Sequence, residues 1–112
     1  MALNGKLLLN GADYAPFNLY GVGVFMAFSG NGIYRNKGAC GAMKGDGPLP
    51  PGKYWIVERG SGGCITIAHN SDYALIRNAL MNTTPVQVPC MRSLMARGWV
   101  EVVASDYKNI CP

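Results

Sequence analysis

Gly47-Pro48-Leu49-Pro50-Pro51-Gly52-Lys53-Tyr54-Trp55-Ile56-Val57 decides how this chain is read. Prolines at 48, 50 and 51 fix φ and withhold backbone donors, so the segment skirts a sheet before joining it. The run Lys53 to Val57, rich in aromatic and β-branched side chains, then enters that sheet as a strand. Tyr54 and Trp55 alternate across it. One faces the core and the other a cleft, and a period of two does not say which.

On the N-terminal side, Lys6-Leu7-Leu8-Leu9 and Phe17-Asn18-Leu19-Tyr20 read as early strands, set apart by the turn-favouring pairs Asn10-Gly11 and Ala15-Pro16. Val22 to Phe28 is apolar without a break, which predicts a strand buried on both faces, and Ser29-Gly30-Asn31-Gly32 ends it. A polar, glycine-rich loop leads from there to Gly47. On the C-terminal side, a strand starts at Cys64-Ile65-Thr66-Ile67. Asn70-Ser71-Asp72 then supply capping oxygens ahead of a helix over Tyr73 to Met81, where Leu75, Ile76, Ala79 and Leu80 recur at helical spacing. Thr83-Thr84-Pro85 stops the helix, and Val86 to Val88 and Trp99 to Val103 return as strands.

Composition agrees with a mostly β domain. The chain has 112 residues, 49% of them hydrophobic and 14% charged, which suits one domain with one core and excludes intrinsic disorder. Fifteen glycines and seven prolines imply many turns between short strands. The net charge of +4 is spread over ten separate Lys and Arg residues, so it supplies mild attraction to an anionic polymer and no nucleic-acid reading motif. No apolar run approaches the roughly 20 residues that span a bilayer, and Met1 to Asn10 lacks the pattern of a secretory leader.

The chemistry concentrates at Ser61-Gly62-Gly63-Cys64. A cysteine after two glycines can act as a nucleophile, because glycine lets backbone N–H groups approach a substrate and hold the oxyanion formed when a thiolate attacks a carbonyl. The competing reading is a tight hairpin turn or a flexible joint, followed by a cysteine that packs as a small hydrophobe. Cys40, Cys64, Cys90 and Cys111 admit three full pairings. In an oxidising compartment, a Cys90–Cys111 bridge is the expected one, since it tethers the C-terminal tail, and Cys40 is left without a role. One histidine and four dispersed cysteines do not make a metal site.

Taken in order, Phe28-Ser29-Gly30-Asn31-Gly32, the Gly-Pro-Leu-Pro-Pro-Gly-Lys-Tyr lead-in, and Ser61-Gly62-Gly63-Cys64-Ile65-Thr66-Ile67 followed by a helix resemble the L,D-transpeptidase-like toxins delivered by bacterial type VI secretion. The resemblance covers nearly the whole chain. It implies a single catalytic domain over residues 1–112, with a YkuD-type β-sandwich or sheet and one short helix after the catalytic strand. It also implies a cysteine enzyme without a cofactor. Such an enzyme trims the tetrapeptide stem of peptidoglycan as an L,D-carboxypeptidase, or exchanges its terminal D-residue, through an acyl-enzyme. Cys64 matches the nucleophile, Ser61 the motif serine, and Gly63 the residue whose N–H joins that of Cys64 at the oxyanion. The expected partners are the stem peptides, an immunity protein that plugs the cleft, and the secretion machinery, which delivers the toxin to the target's periplasm without a signal peptide.

One departure matters. A thiol with an ordinary pKa of about 8.5 is only slightly ionised at neutral pH and needs a nearby base. The family carries its histidine shortly before the Ser-x-Gly-Cys motif, whereas this chain has only His69. If residues 64–69 form one strand, the odd spacing places His69 and Cys64 on opposite faces, roughly 16 Å apart. The expectation is therefore a domain shortened between Arg59 and Cys64, and weakly active or inactive for lack of the base. Arg59 is a candidate for the substrate carboxylate and Tyr54 for the cleft wall. The rival reading is a non-catalytic β-domain that binds cell wall or a partner protein. A third is an unrelated thiol enzyme that uses His69.

Overall fold

Alternation of buried and exposed side chains orients every long strand, and one face of a single seven-stranded sheet carries the core. The computed structural model describes residues 2–41, 47–57, 65–88, 95–105 and 111. The strands are β1 (Leu3–Leu9), β2 (Ala15–Leu19), β3 (Gly23–Phe28), β4 (Gly52–Val57), β5 (Thr66–Ile67), β6 (Val86–Gln87) and β7 (Met95–Ala104), with helix α1 (Asn70–Met81) between β5 and β6. The fold is mostly β with one helix among the described residues, as composition and patterning predict.

The strand order is β4-β7-β1-β2-β3-β5, with β6 joined to the start of β7. β1, β2 and β3 form an antiparallel meander in which Gly5 faces Leu19 and Phe17 faces Phe25. β7 returns parallel to β1, pairing Leu3 with Gly98 and Leu9 with Ala104, so the first and last strands lie together in the middle of the sheet. Burying Leu7, Leu9, Phe17, Leu19, Phe25, Ala27, Val100 and Val102 on the inner face builds the core, and Ile76 of α1 closes over it.

Four expectations are corrected here. β3 is not buried on both faces: Phe25 and Ala27 point inward, but Val24 is 64% and Met26 54% exposed. Its apolar run reads as double burial, yet α1 packs on the inner side and the described residues leave the outer side open. Ala15-Pro16 is not a turn but the start of β2. The proline is accommodated because pairing with β1 begins only at Phe17, so no donor to that strand is needed.

The helix begins at Asn70, three residues before the predicted start, and its N-terminal cap is His69, with no side-chain capping bond. Ala68 N–H still bonds the Met26 carbonyl, and Tyr73 N–H bonds the His69 carbonyl, so the chain leaves the sheet directly into helical geometry. At the other end, Thr83 Oγ1 donates to the Leu80 carbonyl at 2.6 Å and Arg97 Nη1 donates to the Thr83 carbonyl at 3.0 Å, fastening the helix terminus to β7.

The fourth correction concerns the cysteines. Cys111 is bonded to Cys40, not to Cys90, with their Cα atoms 4.9 Å apart and 71 residues of chain between them. Cys40 is fully buried at the end of the short 3-10 turn Gly38–Cys40, which packs beside β7. Sequence cannot foresee this pairing, because it depends on β7 running back alongside β1. In the chain-entropy account, closing a loop of this length stabilises by roughly 4 kcal/mol. No helix among the described residues is long and apolar enough to cross a membrane.

Candidate active site

Two described segments flank the Ser61–Cys64 motif: β4, which ends at Val57, and β5, which starts at Thr66. They stand at opposite ends of the strand order, β4 against β7 and β5 against β3. The two strands therefore do not pair with each other as a hairpin, and the Gly62-Gly63 turn itself lies outside the described residues. Their side chains nonetheless meet the same core, since Tyr54 and Ile56 from one edge and Ile65 and Ile67 from the other all pack against it. Cys64, Ser61, Gly63 and Arg59 themselves lie outside the described residues.

Tyr54 and Trp55 now have their faces assigned. Tyr54 is half-buried on the core side, and its hydroxyl donates to the Pro50 carbonyl at 2.6 Å, stapling the proline segment to the strand that follows it. Trp55 is on the open face, edge-on to Trp99 of β7 at 5.9 Å between ring centroids. Lys53 Nζ stands 4.7 Å from the Trp99 ring centroid on that same face.

The loop between β3 and β4 is built around Asn36, which pattern reading passed over. Asn36 has φ of 58°, a left-handed conformation that asparagine tolerates, and its side chain is fully buried. Its Oδ1 accepts from the Ser29 N–H at 3.0 Å and its Nδ2 donates to the Ala12 carbonyl at 2.8 Å. Ser29 Oγ in turn accepts from the Leu49 N–H at 3.0 Å, which holds the proline segment against the end of β3. Arg35 lies over the Phe28 ring at 3.8 Å and covers its face. A buried polar residue beside a run of Gly and Asn is a signal only once its partners are known, since the bonds span 7 to 24 residues.

His69 is exposed and sits at the helix start. β5 stops at Ile67 and Ala68 bends out of the sheet, so residues 64–69 are not one continuous strand. The geometric ground for placing His69 and Cys64 on opposite faces is thereby removed.

No curated protein sequence and no solved structure matches the chain significantly. Over residues 23–62 it matches the family model of the Tlde1 domain, a type VI secretion effector family, from the start of β3 through the Asn36 loop and β4 to a point two residues before Cys64.

Proposed function

We propose that this chain is a type VI secretion effector domain of the L,D-transpeptidase-like kind, which removes or exchanges the terminal D-residue of peptidoglycan tetrapeptide stems. Cys64 is the nucleophile in this reading. Its thiolate attacks the carbonyl before the terminal D-residue, and the N–H groups of Gly63 and Cys64 bind the oxyanion. Collapse breaks the C–N bond and expels the D-residue as its nitrogen takes up a proton, and water or another D-amino acid then displaces the Cys64 sulfur from the acyl group. Ser61 shapes the motif turn, and Arg59 pairs with the stem carboxylate.

The observation that carries the reading is the Tlde1 match over 23–62, which takes in the proline lead-in and Ser61-Gly62 and ends two residues before Cys64. The Cys40–Cys111 bridge supports action in an oxidising compartment such as the periplasm. It also occupies two of the four cysteines, leaving Cys64 outside that pair. Stem peptides, an immunity protein and the secretion machinery are the partners this function needs.

A second reading is favoured by the end of β5 at Ile67, which frees His69 from the strand: a thiol enzyme in which His69 is the base. Otherwise the base was lost with a segment between Arg59 and Cys64. Incubation with tetrapeptide muropeptides, followed by mass spectrometry, tests both. Loss or exchange of the terminal D-alanine that disappears in Cys64→Ala supports the proposal, and its further dependence on His69 selects the second reading. Binding without turnover overturns both in favour of a cell-wall-binding β-domain.

A further inference from the structure

The bridge joins two places outside the strands of the sheet. Cys40 belongs to the β3–β4 loop, whose described residues, 29–41 and 47–51, hold two short 3-10 turns and no strand. Cys111 lies beyond the end of β7, where Ser105 N–H donates to the Leu9 carbonyl at 2.9 Å. The bonds that hold the loop among the described residues include those of Asn36, the Leu49–Ser29 bond and the Tyr54–Pro50 bond.

We propose that Cys40 and Cys111 form a compartment switch: an open dithiol in the reducing cytoplasm of the producing cell and a closed clamp in the oxidising compartment where the effector acts. This rests on the reading of the chain as a delivered effector. On closure each thiol gives up its hydrogen and an S–S bond forms. The two protons and two electrons pass, through a mixed disulfide, to the disulfide of a thiol oxidoreductase, which leaves as a dithiol. Cys40 is fully buried while Cys111 is partly exposed, so an incoming thiol or disulfide engages Cys111 first and Cys40 completes the exchange from inside.

Opening the bridge returns loop-closure entropy to the unfolded chain and leaves the β3–β4 loop without its covalent tie to the C-terminal segment. The loop leads directly into β4, so the switch controls the frame that precedes the Ser61–Cys64 motif. The producing cell thereby holds a loosened form, and the delivered molecule tightens on arrival.

The test uses the whole chain equilibrated in oxidised or reduced glutathione buffer, beside a Cys40→Ala/Cys111→Ala variant. Peptide mapping of the oxidised form is expected to recover a Cys40–Cys111 crosslinked peptide. Reduction is expected to lower the melting temperature by on the order of 10 °C. It is also expected to speed proteolytic cleavage within residues 29–51 by roughly tenfold or more. The variant should behave like the reduced form in either buffer. Absence of the crosslinked peptide, or oxidised and reduced chains that melt and cleave alike, overturns the switch. Melting and cleavage need no turnover, so a chain inert toward muropeptides that still shows both keeps the switch and removes the enzyme reading.

Discussion

Asn36 holds Ser29 from two sides: its Oδ1 accepts the Ser29 N–H at 3.0 Å, and its own N–H donates to the Ser29 carbonyl at 2.8 Å. Its carbonyl also accepts from Gly11 N–H and its amide reaches Ala12, so one residue ties the β1–β2 turn to the end of β3. Asn36→Ala strands buried partners and puts alanine, which tolerates the left-handed region less well than asparagine, at φ of 58°. It is expected to lower stability by about 2–4 kcal/mol, read from the urea midpoint. Asn36→Gly relieves the backbone but not the lost bonds, and should fall between.

Gly30 has φ of 94°, and a Cβ there would stand 2.9 Å from the Pro48 nitrogen. Backbone on both sides leaves nothing flexible to yield. Gly30→Ala is therefore expected to cost about 1–3 kcal/mol, while Gly32→Ala, with positive φ but open space around it, should cost less. Equal losses in thermal melts would contradict the steric account.

Trp55 and Trp99 oppose each other across β4 and β7, with Lys53 beside both rings. A double-mutant cycle to Ala should give a coupling of about 0.5–1.5 kcal/mol, the range for an edge-to-face aromatic pair. Additive losses would mean that the rings only cover area.

Tyr54→Phe removes the bond to Pro50 and is expected to cost about 1 kcal/mol, with KM for a stem peptide unchanged. The half-buried ring faces the core, so its role is to hold the proline segment. A raised KM at unchanged stability would return Tyr54 to the substrate side.

His69 is exposed and makes no side-chain capping bond, so His69→Ala should alter stability by no more than about 0.5 kcal/mol. Any fall in turnover then reports chemistry rather than folding. Muropeptide kinetics on the variant decide whether the exposed imidazole serves the thiol.

Much of the strand content was legible without coordinates. Proline spacing announced β4, the apolar stretches Lys6 to Leu9 and Phe17 to Tyr20 announced β1 and β2, and helical recurrence through Ile76 and Leu80 announced α1. These signals are local: each depends on how a few neighbouring side chains share a face. The candidate site was legible only as a motif whose residues lie outside the described segments, and the placing of its flanking strands at opposite edges of the sheet was not legible at all.

Local chemistry alone, then, determined that this chain is mostly β, where its strands and helix lie, and that a cysteine follows a glycine pair near a proline-led strand. Tertiary structure decided the rest: β7 beside β1, β4 and β5 at opposite edges, an open outer face on β3, Asn36 as a hub, and Cys40 joined to Cys111. The reason is range. A dihedral preference or a period of two acts over a handful of residues, whereas pairing, burial and crosslinking join positions up to about a hundred apart and exist only once the sheet has closed around its core.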